Sequence, residues 1–496
     1  MRIEELLIRN KENKDIAIEY KDEAISFMDW NIWSKEVGDI ISEATDCVGN
    51  VAIYIPNSIF YAVAYFAILY EKGTIVPIFY GSTEFEIENT MRFCECDVIL
   101  TISDEKNKIL SALKNYEYST TVIFVDLMSF VNVLGNYGII TKTNYFVNSG
   151  ESEDIAILLH TSGSIASPKR VMLTHTNIIN NVIANIESLE MSKNDIGLIA
   201  LPLVFGYCNT AQFLTHLYLG AKIVIMDGFF FPKTFCELVC SKKITNFTAV
   251  PTMLIMLLSY RYCRHYMLDS LRFICFGGGT ISIGQICEIM NKFPQINFIH
   301  TYGQTECSPR VTALLPCDAN QKIGSVGRPI PGVEIKICES WDLKETNNQN
   351  IVGEIMVKGK NVMKGYYKNQ EATRAVKEGE WLYTGDLGYL DEDGYLYLVG
   401  RRKNVIISGG MNIYPEEVEG IIREIEGVEK VCIKGIQDEQ LGELSVAYIV
   451  RENKNLTKEE VMEYCKGKLS KYKIPKTIKF VETISETYNG KIKRGV

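Results

Sequence analysis

The sequence predicts an α/β protein. A large N-terminal domain of βαβ-type sheets carries a small barrel-like subdomain, and a small α+β C-terminal domain follows. Three observations point there. The 496-residue chain is too long for one ordinary core, at roughly 100–200 residues per domain. From residue 1 to about 400, short apolar runs alternate with stretches of helical length. After Gly400 the texture changes to a basic, glycine-containing connector and then a segment long enough for a domain of its own.

The elements follow in order. VAIYIP at 51–56, TIVPIF at 74–79, DVILTI at 97–102 and TTVIFVDL at 120–127 have the length and apolar continuity of strands buried on both faces. Between the first two, IFYAVAYFAILY at 59–70 reads as a buried helix, because it is shorter than the ~20 residues that span a bilayer. Strand–helix–strand repetition implies a largely parallel sheet covered on both faces. Later runs, EIKICES at 334–340 and GEIMVKG at 353–359, alternate and are separated by turns, as antiparallel strands do. Beyond the connector RRKNVIISGGMNIYP come a helix, EEVEGIIREI, and two strands, VCIKGI and LSVAYIV. The domain boundary falls at 400–404.

Composition bounds the function. Hydrophobic residues at 47%, charged at 23% and aromatic at 10% suit a soluble globular chain and exclude disorder, collagen and coiled coil. With 52 basic against 61 acidic residues the net charge is −9, which counts against a nucleic-acid partner. Fourteen scattered cysteines show no zinc spacing and read as small reduced hydrophobes. The charged start, MRIEELLIRNKENKD, does not resemble a signal peptide. The expectation is a cytoplasmic protein without a membrane span.

Chemistry enters with the loop after the apolar run at 155–159. Thr161, Ser162, Gly163 and Ser164, followed by Lys169, pack hydroxyls, backbone N–H groups and a cation into a cradle for phosphate oxygens. The spacing is not GxxxxGK[ST], so a P-loop NTPase is disfavoured. Downstream, in order, come Tyr302-Gly303-Gln304-Thr305-Glu306, Tyr383-Thr384-Gly385-Asp386, Gly400-Arg401-Arg402-Lys403 and Asn489-Gly490-Lys491. Between them lie Val250-Pro251-Thr252, Phe276-Gly277-Gly278-Gly279, Gly327-Arg328-Pro329, Gly353-Glu354-Ile355 and Met363-Lys364-Gly365-Tyr366-Tyr367, and Asn412-Ile413-Tyr414-Pro415 follows the connector. This ordered set, running from about residue 50 to the C-terminus, resembles the adenylate-forming superfamily of acyl-CoA synthetases, stand-alone adenylation domains and luciferases.

The resemblance implies a two-step ligase. A carboxylic acid attacks ATP to give an acyl-adenylate and pyrophosphate, and the acyl group then passes to a phosphopantetheine thiol, either of CoA or of a separate carrier protein. It implies Glu306 as the Mg2+ ligand, Thr305 as a donor to the α-phosphate, and Tyr302 stacked on adenine beside the Gly277, Gly278 and Gly279 backbone. Asp386 would accept from the ribose hydroxyls, and Arg401 would reach the ribose and phosphate region. Lys491 would be the adenylation lysine. Lys403 would be the pivot of a hinge at 401–404 between a large domain, 1–400, and a mobile C-terminal domain, 405–496, with Gly409 and Gly410 lining the thiol's approach. These types suit the reaction, since carboxylate and triphosphate repel until cations screen them and the site aligns them.

Two segments depart from the family pattern. Relatives carry Thr-Gly where this chain has Ile165 and Ala166, and Gly where it has Arg170. The loop loses a hydroxyl and some backbone freedom, implying either weakened ATP use or compensation by Arg170. Phe205, Gly206 and Tyr207 match the acyl-pocket motif, with Phe205 where many relatives have His. No acid lies in 201–209 to pair with an α-ammonium, so a fatty or aryl acid is expected before an amino acid. The alternatives are an amino-acid-activating stand-alone adenylation domain and a nucleotide-binding protein with lapsed catalysis. A faint carrier-protein likeness at 438–445 lies between two strands without a four-helix module, which makes the thiol acceptor external.

Overall fold

The structure is a computed structural model. It describes all residues except 46–47, 115, 117–119, 125–138, 141–153, 161–168, 280, 340–343, 347–350, 409–410, 439–440, 487–491, 493 and 495–496.

Two mixed sheets form the bulk of the large N-terminal region. In the first, Ile155–His160, Thr74–Pro77, Asn50–Tyr54, Cys96–Thr101 and Thr121–Phe124 lie side by side and parallel. Arg170–Thr174 closes one edge antiparallel to Ile155–His160 and is itself paired with Gly365–Tyr366. In the second, Ile16–Tyr20, Lys222–Ile225, Ile196–Ile199, Asn246–Ala249, Phe273–Phe276 and Asn297–Gly303 run parallel, and Arg310–Leu314 pairs antiparallel to the last. Residues 16–26, read as nothing in particular from the sequence, form a hairpin on the far edge. The strands predicted at 51–56, 74–79, 97–102 and 120–127 occur as Asn50–Tyr54, Thr74–Pro77, Cys96–Thr101 and Thr121–Phe124.

The run at 59–70 is one helix, Ile59–Tyr70, buried along every residue but the last. Ser58 caps it by accepting from the Tyr61 N–H. It packs on Phe27–Ala44, where Trp30 meets Phe66 edge-on with ring centroids 5.2 Å apart. Helix on both faces of parallel strands is what the unbroken apolar runs require.

The predicted antiparallel subdomain is a six-stranded sheet centred on Val333–Glu339, Gly353–Gly359 and Trp381–Leu390. Leu396–Arg401 pairs with Trp381–Leu390 and places Arg401 opposite Asp386. The C-terminal residues carry their own sheet and core. Val428–Asp438 and Gly442–Arg451 form a hairpin, Thr477–Phe480 adds a parallel strand, and Pro415–Ile422 and Lys458–Lys468 cover one face. Ser445 is fully buried on the second hairpin strand, so it presents no attachment hydroxyl and the carrier-like segment is structural. Among the described residues every cysteine is free, and no helix is long and apolar enough to cross a membrane.

Candidate functional site

Two strands of the second sheet end at the site. Phe273–Phe276 runs into Gly277, Gly278 and Gly279, and Asn297–Gly303 delivers Tyr302, Gly303 and then the short turn Thr305–Cys307. The glycines are sterically required at two positions. A Cβ on Gly277 would lie 2.3 Å from the Thr301 carbonyl oxygen, and one on Gly303 would lie 1.9 Å from that of Pro309. Gly278 adopts φ +78°, and the space where a Cβ would stand is open to 4 Å.

The polar centre is Asp386, which is 6% exposed. Its Oδ2 accepts from the Tyr302 hydroxyl at 2.8 Å, and its Oδ1 pairs with Arg401 Nε at 2.7 Å. Thr384 steadies it by accepting the Asp386 N–H at 3.1 Å while donating to the Ile355 carbonyl at 2.8 Å. Burial, followed by the charge of Asp386, holds the Tyr302 phenol protonated well above its ordinary range. The same carboxylate raises the Arg401 guanidinium. A second pair runs alongside: Glu354 accepts from the Gly385 N–H at 3.0 Å and pairs with Arg402 at 2.7 Å. Glu354 and Arg402 had no assigned role in the sequence, although the Gly353-Glu354-Ile355 motif contains one of them.

Four residues further along, Glu306 accepts the Tyr366 hydroxyl at 2.9 Å, and the Tyr366 ring carries Lys169 Nζ 4.9 Å above its face. Tyr366 therefore joins the phosphate-loop lysine to the acidic residue, a link that the Met363–Tyr367 motif concealed because no charge marks it. Thr305 opens the same turn, half-buried. Among the described residues no cluster of three or more His, Cys, Asp or Glu is shaped to hold a metal. A single carboxylate with an oxygen steadied by Tyr366 still fits Mg2+, which takes oxygen ligands and leaves most positions to water and phosphate.

Arg170, one of the residues in which the loop departs from the family pattern, is held by the first sheet. It is buried, and it donates to the Pro77 carbonyl at 3.3 Å and to Thr90 Oγ1 at 2.8 Å, inside the first sheet. Those bonds commit its guanidinium to the first sheet, while Ile165 and Ala166 lie outside the described residues. Thr161, Ser162, Gly163, Ser164, Gly409, Gly410 and Lys491 lie outside the described residues. The chain on either side of Lys491 is tied down: Glu486 bridges to Ile492 and pairs with Lys430 at 2.8 Å, and Arg494 pairs with Glu419 at 2.7 Å. Lys403 is exposed in the turn Arg402–Asn404, whose last residue donates to Glu416 at 2.6 Å.

The predicted acyl-pocket residues adjoin this centre. Phe205 stacks on Phe79 with centroids 5.9 Å apart. A Cβ on Gly206 would touch Leu159 at 3.0 Å. The Tyr207 hydroxyl shares a hydrogen bond with Thr301 Oγ1 at 2.9 Å, and Thr301 donates onward to the Phe276 carbonyl at 3.1 Å, immediately before Gly277. Burial pushes the Tyr207 phenol up to about 12, so it stays a neutral hydrogen-bonding group.

Comparison with known proteins agrees with this geometry. The family model described as AMP-binding enzyme matches residues 9–367, and that described as AMP-binding enzyme C-terminal domain matches residues 417–491. The 2-succinylbenzoate–CoA ligase of Oceanobacillus iheyensis is 36% identical over 342 residues, 69% of each chain. A long-chain-fatty-acid–CoA ligase of Bacillus subtilis is 30% identical over 479 residues, covering 90% of this chain and 84% of the other. Among solved structures, the o-succinylbenzoate coenzyme A synthetase of Bacillus subtilis in complex with ATP and magnesium ion superposes with a TM-score of 0.85 at 28% identity, over 99% of this chain and 98% of that one. The chain belongs to the AMP-binding enzyme family, within the adenylate-forming superfamily. It is an ATP-dependent, AMP-forming acid–thiol ligase.

Proposed function

We propose that the chain activates a non-amino carboxylic acid, fatty or aryl, as its adenylate and transfers the acyl group to the thiol of CoA. The observation that carries this reading is the convergence on one segment, 302–306, of two groupings: Tyr302 with Asp386 and Arg401, and Glu306 with Tyr366 and Lys169. The first is built for a ribose. A carboxylate has about four acceptor positions, and Tyr302 and Arg401 occupy two, which leaves two for the ribose hydroxyls. The second offers Mg2+ a carboxylate and the phosphates a cation within one ring's width.

In the first step the acid's carboxylate oxygen attacks the α-phosphorus and pyrophosphate leaves. Thr305 donates to the α-phosphate and Lys169 neutralises the leaving group's oxygens, while Glu306 would hold Mg2+, whose charge would screen the triphosphate. Lys491 bridges the substrate carboxylate and the α-phosphate. In the second step the thiol attacks the acyl carbonyl and AMP leaves. We assign 1–400 as the large domain, 401–404 as the hinge and 405–496 as the domain that moves between steps. Arg401 and Arg402 stay paired to the large domain through Asp386 and Glu354, so the rotation begins at exposed Lys403.

An amino-acid substrate is disfavoured. The Tyr207 hydroxyl is bonded to Thr301 and not to a carboxylate, and 201–209 contains no acid to pair with an α-ammonium. Lapsed catalysis is disfavoured because Glu306, Asp386 and Arg401 sit in one connected geometry. CoA over a carrier protein rests on the CoA ligases among the relatives. Pyrophosphate exchange over a panel of fatty, aryl and amino acids tests the reading, with CoA and a phosphopantetheinylated carrier then compared as acceptors. Exchange with a non-amino acid, abolished by Lys491→Ala, is expected. Exchange with amino acids alone overturns it.

A further inference from the structure

Arg310 is an ion with no counter-ion. It opens the strand Arg310–Leu314, is 2% exposed, and is among the largest fully buried side chains of the molecule. Asn181 fixes its backbone from both sides, donating to its carbonyl at 2.7 Å and accepting its N–H at 3.3 Å. One guanidinium nitrogen donates to Asn185 Oδ1. Its Nε and other terminal nitrogen are buried without an acceptor among the described residues, and no acidic side chain among them pairs with it.

Arginine cannot shed its proton to relieve this. A buried cation without a partner is costly, and natural chains rarely keep one for packing alone. The location is what gives it meaning. The guanidinium lies against Tyr207 and Cys275; burial raises both groups, and Arg310 pulls them back down. Tyr207 belongs to the acyl-pocket segment and touches Thr301, one residue before Tyr302. Pro309, the residue before Arg310, is the neighbour that a Cβ on Gly206 would approach at 4.0 Å. Segments 205–207, 301–303 and 309–310 thus meet, with the unpaired donors of Arg310 beside them. A planar fork of this kind matches a carboxylate, two donors to two oxygens.

We propose that Arg310 is a specificity-determining residue which receives a second carboxylate of the substrate, so that the acid activated here is a dicarboxylic acid. The proposal rests on the ligase reading above and adds to it the chemistry of the acid's far end. It also gives a second reason against amino acids, since a cation beside Tyr207 repels an α-ammonium.

The test pairs dicarboxylic acids with their monomethyl esters and with monocarboxylic acids of the same length, aliphatic from four to eight carbons and aryl. Each is assayed by ATP–pyrophosphate exchange on wild type and on Arg310→Met and Arg310→Lys. Wild type is expected to favour one dicarboxylic acid over its matched monocarboxylic acid at least tenfold in kcat/KM. Arg310→Met, of similar volume and no charge, is expected to lose or invert that preference, and Arg310→Lys to keep part of it. A second readout needs no turnover: the preferred dicarboxylic acid raises the melting temperature of wild type and not of Arg310→Met. Wild-type exchange that favours monocarboxylic acids, with the same ranking in Arg310→Met, overturns the role of Arg310 and leaves the ligase intact. Exchange with no acid at all overturns the ligase reading, and the assignment with it.

Discussion

Replacing Asp386 by Asn isolates the ribose-binding role. The aspartate is buried and gives one acceptor position on Oδ1 to Arg401 and one on Oδ2 to Tyr302, which leaves one free position on each oxygen. In Asp386→Asn one oxygen becomes an NH2 that cannot accept, so one ribose hydroxyl loses its partner. A hydrogen bond to a charged group contributes about 1.5–3 kcal/mol, and each 1.4 kcal/mol is tenfold. The ATP KM in pyrophosphate exchange should rise about 10- to 150-fold. The lost pairing with Arg401 adds little, because that side chain is 42% exposed and screened by water. Fold integrity is checked by urea unfolding. An ATP KM within twofold of wild type, in a folded variant, would refute the assignment.

Tyr366→Phe keeps the ring under Lys169 and removes the bond to Glu306; a loss of about 1 kcal/mol is expected, seen as a roughly fivefold higher Mg2+ requirement in exchange. Arg170→Met should cost about 1–3 kcal/mol in urea unfolding through its lost bonds to Pro77 and Thr90, with the ATP KM changed less than threefold; a large KM effect would mean that Arg170 reaches the phosphates after all. Burial lowers His175 to about 3 and His300 to about 4 from an ordinary 6.5. Both folded values lie below the unfolded one, so this stability is complete above pH 6.5 and is lost as pH falls toward 4. Each histidine gives up about 1.4 kcal/mol per pH unit. Burial lowers the fully buried His216 as well. Unfolding midpoints at pH 7.5 and 5 should differ accordingly, and His175→Leu should flatten the slope by about a third; an unchanged slope would contradict the burial account.

The parallel strands and the helix at 59–70 were legible because burial on both faces leaves unbroken apolar runs, which survive in a single sequence. The hairpin at 16–26 was not, since its strands are short and half-exposed at a sheet edge. Within the site, Glu306, Asp386, Tyr302 and Arg401 stood out as charged or aromatic residues beside glycine turns. Tyr366 did not, because a tyrosine's value there comes from what it touches on two other segments. Arg170 and Arg310 show the same limit from the other side. Two buried arginines look alike in sequence, yet one is satisfied by carbonyl and hydroxyl oxygens while the other is left with idle donors. Only the packing of remote segments distinguishes them.

The most direct test of the central claim is product analysis of one complete reaction. Purified protein is incubated with ATP, Mg2+, CoA and the acid that gives the strongest exchange, and nucleotides and thioesters are separated by chromatography and mass. AMP, pyrophosphate and acyl-CoA in equal amounts, with the acyl-adenylate accumulating when CoA is left out, is the predicted result. ADP and phosphate as products, or acyl-CoA formed without an adenylate, would contradict the account.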